Sequence, residues 1–82
     1  MKLEYSNQAQ KDLTKLPKIK IRAILKKIEL LPTSPFLGKK LGGKFSGYRS
    51  LRVWPYRIIY QINQSKNCLT IITVEHRQGA YK

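Results

Sequence analysis

Apolar positions along this chain change period three times. Lys2-Leu3-Glu4-Tyr5-Ser6 alternates apolar with polar or charged residues, the two-residue repeat of a strand with one buried face. Ser6 or Asn7 can then cap a helix, because a short side-chain oxygen accepts from a free N–H at the helix start. Ala9, Leu13 and Leu16 follow at i, i+4 and i+7, a narrow apolar stripe, and Pro17 ends that helix or opens the next segment. From about Lys18 to Leu31 the period stays helical. Ile21, Ile24, Leu25, Ile28 and Leu31 make a full apolar face, with Lys20, Arg22, Lys26 and Lys27 mostly on the other side. Pro32 and Pro35 terminate it. Thr33 to Gly47, "TSPFLGKKLGGKFSG", has no period and reads as a loop, with Leu37 and Leu41 expected to pin it to the core. Strand character returns in Tyr48–Val53, Tyr56–Ile62 and Cys68–Glu75, with turns at Trp54-Pro55 and from Asn63 to Asn67.

The order β-α-α-β-β-β predicts one α+β domain over residues 1–82, an antiparallel sheet packed on one face by two helices. A two-residue connection at Trp54-Pro55 pairs Val53 with Tyr56, Arg52 with Arg57, Leu51 with Ile58 and Ser50 with Ile59. Leu51, Val53, Tyr56, Ile58, Tyr60 and Ile62 then face the helices, while Ser50, Arg52, Arg57 and Gln61 face away. A slip of one residue would swap the faces.

This register sets two arginines opposite each other, which costs a few tenths to about 1 kcal/mol. A phosphate site accounts for the cost, since two guanidinium forks match phosphate oxygens. The competing reading gives each arginine its own carboxylate, or Arg52 a backbone carbonyl. Four acidic residues in the whole chain leave little room for it.

The charge balance points the same way. Seventeen Lys and Arg face four Asp and Glu, a formal net charge of +13. Such an excess repels itself in a compact state and suits a polyanionic partner, nucleic acid first. Arg49, Arg52, Lys39, Lys40 and Lys44 are the candidate RNA contacts. The lysine-rich helix lacks the aromatic apolar face of a membrane-surface helix. No apolar run approaches a membrane span, and no signal-peptide core follows Met1, so no membrane role is expected. Eighty-two residues allow only a thin core, so every apolar strand is needed for it. A single cysteine leaves no internal disulfide and too few thiols for zinc. Cys68 reads as core, in a reducing cytoplasmic setting. Gly42-Gly43 lacks the spacing of a phosphate-binding loop. Neither a cofactor nor a metal is expected.

The chain closes with "ITVEHRQGAYK". The hairpin "GYRSLRVWPYRIIYQI", a following strand and "HRQGAYK" together resemble the RelE-like toxins of the RelE/ParE superfamily, over almost the whole chain. The resemblance implies the toxin of a type II toxin–antitoxin pair. It implies a ribosome-dependent endoribonuclease that cuts mRNA in the A site without metal, using the RNA's own 2′-hydroxyl as nucleophile. By position, Arg57 corresponds to a phosphate-binding arginine and Arg77 to one that stabilises the transition state or assists the leaving group. Tyr81 corresponds to a terminal tyrosine that acts as general base or stacks on a base. His76, beside Arg77, is a further acid or base candidate because imidazole titrates near neutrality. An acidic cognate antitoxin is the implied protein partner. Two departures stand out: Ser50 occupies the place of a family lysine, and Trp54-Pro55 replaces the usual Gly-Asp turn. The other readings are a ParE-like gyrase inhibitor that does not cleave, and an inactive relative that binds only RNA or antitoxin.

Overall fold

The computed structural model describes residues 1–76, which form an α+β domain with element order β1 (Lys2–Tyr5), α1 (Asn7–Thr14), α2 (Lys18–Ile28), β2 (Lys39–Lys40), β3 (Tyr48–Val53), β4 (Tyr56–Asn63) and β5 (Cys68–His76). A short 3-10 turn spans Gly43–Phe45. The strands lie in the order β1-β5-β4-β3-β2. Three of the four pairings are antiparallel, as the chain order suggests. The fourth is not: β1 runs parallel to β5, with Lys2 opposite Cys68 and Tyr5 opposite Ile71. A parallel neighbour needs a long crossover. Here the two helices and strands β2 to β4 lie between β1 and β5.

The first helix begins where the sequence places it. Ser6 is extended, and its Oγ accepts from the Ala9 amide at 3.0 Å. The same hydroxyl donates to the Ile72 carbonyl, tying the helix start to β5. The second helix ends at Ile28, three residues short of the expected Leu31. Its last turn tightens, with Leu30 and Leu31 donating to carbonyls only three residues back. Leu31 is nevertheless fully buried.

The core lies between the helices and one sheet face. It gathers Ala9, Ile24, Ile28 and Leu31 with Leu51, Ile58, Tyr60, Leu69, Ile71 and Val74. The predicted hairpin register holds in full, from Tyr48 opposite Gln61 to Val53 opposite Tyr56. The expected alternation fails only in β5, where a bulge intervenes. Ile59 pairs with Thr73 but Tyr60 with Ile71, so Ile72 is the extra residue. The bulge lets Val74 and Ile71, three positions apart, both reach the core.

The long loop departs from expectation in two ways. Lys39–Lys40 is a short edge strand on β3, not loop. Leu37 does not pin the segment; it is 49% exposed. Polar groups hold it instead. The buried Tyr60 hydroxyl donates to the Pro35 carbonyl at 2.8 Å and accepts from the Gly38 amide at 2.9 Å. Arg49 donates to the Gly38 carbonyl at 2.6 Å and lies over the Phe36 ring, 4.8 Å from its centre. No helix among the described residues is long and apolar enough to cross a membrane.

Candidate nucleic-acid interface

The sheet face away from the helices is organised in cross-strand rows. One row runs Arg52–Arg57–Glu75 across β3, β4 and β5. The next runs Lys39–Ser50–Ile59–Thr73, about 7 Å along the strands. The third carries Tyr48, Gln61 and Thr70. Arg52 and Arg57 therefore meet as the sequence predicts. Arg57 also faces a carboxylate, Glu75, so the reading in which it has its own acid partner gains an observation. Opposite charges in directly facing positions attract, partly offsetting the repulsion from Arg52.

Beside these rows lies an open cavity of about 360 Å³, lined by Leu41, Lys44, Phe45, Tyr48, Arg57, Ile59, Ile72, Thr73 and Glu75. Its floor is apolar because the bulge brings Ile72 next to Ile59. Its wall is the 3-10 turn, which projects Phe45 with 52% of its surface exposed. Lys44 stands 5.8 Å from the centre of that ring. A second hollow holds Lys39, Lys40, Ser50, Arg52 and Arg57, so Arg57 borders both.

The geometry of β5 depends on a carboxylate on the other layer. Asp12 of α1 accepts from Thr73 Oγ1 at 2.6 Å and from the Val74 amide at 2.9 Å. Strand β1 stops at Tyr5, leaving the far edge of β5 without a strand neighbour beyond Ile71. Asp12 takes the place of that missing neighbour. Burial alone would raise the Asp12 carboxyl. The bonds from Thr73, the Val74 amide and Gln8, with Lys15 nearby, outweigh it and hold the group below the ordinary carboxylate range. Tyr60 moves the other way: burial raises its phenol above the ordinary value, against the Gly38 hydrogen bond and the charge of Arg49.

The remaining candidates divide. Lys39, Lys40 and Lys44 are exposed; Lys39 is opposite Ser50 in the open-face row, and Lys44 lines the cavity, whereas Lys40 is opposite Arg49 and alternates to the other face. Arg49 is committed to the Pro35–Gly38 segment, and strand alternation puts it on the helix side with Leu51 and Val53. His76 pairs with Tyr56 across β4 and β5, its ring edge-on to the tyrosine with centres 5.4 Å apart. That row faces the helix side, opposite to Arg57. Arg77 and Tyr81 lie outside the described residues. Glu75 is the site residue that sequence reasoning passed over. Its signal was the alternation of "TVEH", which puts Glu75 on the opposite face from Val74.

This open cationic sheet, with two helices behind it, is the arrangement of a known group of toxins. The family model of the ParE toxin of type II toxin–antitoxin systems matches residues 3–81, and the chain belongs to that family. Within the RelE/ParE superfamily its fold is RelE-like. It is similar to a chain of the toxin–antitoxin complex RelBE2 from Mycobacterium tuberculosis, with 29% identity and a TM-score of 0.85 over 93% of this chain and 96% of that one. It is also similar to the archaeal RelE–RelB complex from Pyrococcus horikoshii, with 27% identity and a TM-score of 0.73 over 93% of each chain. The isolated RelE toxin of E. coli shares the fold, with 23% identity and a TM-score of 0.79 over 92% of this chain and 82% of that one. No curated protein matches the chain.

Proposed function

We propose that this toxin acts in the cytoplasm as a ribosome-dependent endoribonuclease, cutting mRNA in the A site at the open sheet face. The observation that carries this reading is the Arg52–Arg57 pair beside a cavity walled by Phe45 and Tyr48. Paired guanidinium groups hold a phosphate, and exposed rings hold a base out of its stack. In the reaction, the 2′-oxygen attacks the adjacent phosphorus and the P–O5′ bond breaks. A 2′,3′-cyclic phosphate and a 5′-hydroxyl result. Arg57 and Arg52 neutralise charge on the five-coordinate phosphorus. By the family resemblance Arg77 joins them, and Tyr81 takes the 2′-hydroxyl proton, since His76 pairs with Tyr56 on the helix side of the sheet. A tyrosine is a poor base at its ordinary pKa near 10, and surrounding cations favour its phenolate. The RNA supplies the nucleophile, so the mechanism asks the protein only for proton transfer and charge stabilisation.

An acidic antitoxin is the matching protein partner, since a +13 chain offers it complementary charge. Relatives solved as RelE–RelB complexes support a partner of this kind. The ParE description of the matched family favours a second reading, gyrase inhibition without cleavage. In vitro translation with purified protein separates the two. Codon-positioned cuts that Arg57→Ala lowers at least about 100-fold are expected. Loss of DNA supercoiling with intact message would replace the first reading by the second. Silence in both assays would leave a protein that binds RNA or antitoxin only.

A further inference from the structure

A carboxylate in the middle of a phosphate-binding face weakens phosphate binding, so Glu75 needs a reason to be there. It is one of four acidic residues in the chain. It stands directly opposite Arg57 and lines the same cavity as Phe45, Tyr48, Ile59 and Ile72. Directly facing strand residues have Cβ atoms about 4.5–5.5 Å apart. A group bound by Arg57 is therefore adjacent to whatever meets Glu75.

The cavity has three kinds of wall. Its floor is aliphatic, from Ile59 and Ile72. One side is aromatic, from Phe45 and Tyr48. Its polar rim has cations at Lys44 and Arg57 and an anion at Glu75. Its volume of about 360 Å³ falls within the range of small-molecule sites, about 300–1,000 Å³. A flat ring with a polar edge suits the floor and the aromatic side. A phosphate on its ribose suits Arg57 and Lys44.

The edge of that ring must donate hydrogen bonds, because an ionised carboxylate only accepts them. Guanine offers two adjacent donors, N1–H and the N2 amino group, to the two oxygens of one carboxylate. Adenine and cytosine offer a single amino group beside an acceptor nitrogen, which a carboxylate repels. Uracil offers one N–H between two carbonyls.

The geometry points to Glu75 as a specificity-determining residue: the cavity is a nucleobase pocket in which its carboxylate accepts from N1–H and N2–H of a guanine, next to the phosphate held by Arg57. This deepens the endoribonuclease reading and rests on RNA being what the open face binds. The competing use of Glu75 is to orient Arg57 through their cross-strand attraction. That use affects every sequence equally.

The test is direct binding without ribosomes. Five-nucleotide RNAs, 2′-O-methylated throughout so that no nucleophile remains, carry each of the four bases at the centre. Affinities are read by fluorescence anisotropy at low salt for wild type and Glu75→Gln, with circular dichroism confirming that the variant is folded. A bidentate pair predicts a guanine preference of about 5- to 150-fold in wild type. Glu75→Gln should cut that preference to within about threefold, because the amide has one acceptor in place of two. Equal affinity for four bases in wild type overturns the proposal. So does a guanine preference that survives Glu75→Gln, a uniform change across all four RNAs, or no binding up to millimolar RNA. Because nothing is cleaved, guanine-selective binding in a protein that makes no cuts on ribosomes would retain this pocket and discard the endoribonuclease.

Discussion

Arg52 on β3 and Arg57 on β4 are direct cross-strand partners, two guanidinium groups on one face of the sheet. Nothing in folding favours that pairing, since directly opposed like charges cost up to about 1 kcal/mol. Arg57 is compensated by Glu75 on its other side. Arg52 lies one strand further from that carboxylate and is exposed. Arg52→Ala should therefore leave the fold as stable as wild type or raise it by a few tenths of a kcal/mol in urea denaturation. The same change should weaken RNA binding and reduce the slope of log affinity against log salt by about one. A variant that loses stability and keeps its salt slope would make Arg52 a structural residue.

Asp12 is tied to folding through β5, and its contribution should fade in acid. Its folded-state carboxyl lies below the ordinary value of about 3.9. A depressed carboxylate contributes stability that is fully present above its unfolded-state pKa and is lost as pH falls through the folded-state value. Asp12→Ala also strands the Val74 amide, a cost of about 1–3 kcal/mol near neutrality. Urea midpoints of wild type and Asp12→Ala should be well separated at pH 6 and converge below about pH 4. A gap that stays constant with pH would remove the charge from the explanation.

Tyr60 and Gly38 form a lock between β4 and the segment before β2. Tyr60→Phe removes one donor and one acceptor together, leaving the Pro35 carbonyl and Gly38 amide to find other partners. The expected cost is about 1–3 kcal/mol. Gly38→Ala attacks the same lock from the other side. A Cβ there would sit 2.8 Å from the Tyr60 ring and hydroxyl and from the Ser50 carbonyl, distances that real contacts do not tolerate. Both variants should free Lys39 and Lys40 from β3, seen as faster amide exchange in those two residues, with the hairpin still protected. Equal exchange in wild type and variants would mean that the edge strand holds itself.

The hairpin was legible in the sequence because alternation on both sides of a two-residue turn, broken only at Ile59, favours the register that buries Leu51, Ile58 and Tyr60 together. Arg49 follows from that same register. Its parity matches Leu51, so alternation already separates it from Arg52, although charge alone groups the two. Strand β5 was less transparent, since "TIITV" puts apolar residues at both parities and so fits more than one facing. Only the partner strand shows that Ile72 is the bulged residue. The parallel pairing of β1 leaves no local trace, because which strand lies beside it is decided by contacts more than sixty residues away. Lys39–Lys40 is too short to have a period at all.

His76 offers the sharpest test of how faces assign roles in this site. Its neighbour Glu75 faces the cavity with Arg57, and one step along the strand turns the His76 side chain to the other face. There its ring meets Tyr56 edge-on, a contact worth about 0.5–1.5 kcal/mol. Tyr56 in turn packs against the core cluster. A general base must come within hydrogen-bond reach of the 2′-hydroxyl, and a phosphate held as proposed by Arg57 and Arg52 would lie on the opposite side of the sheet. His76→Ala should then lower stability by about that contact energy, and reduce message cleavage less than tenfold. Arg57→Ala in the same assay should cost at least about 100-fold with stability little changed. If His76→Ala instead abolishes cutting while the fold is kept, the end of β5 turns over when RNA binds, and the histidine takes the proton.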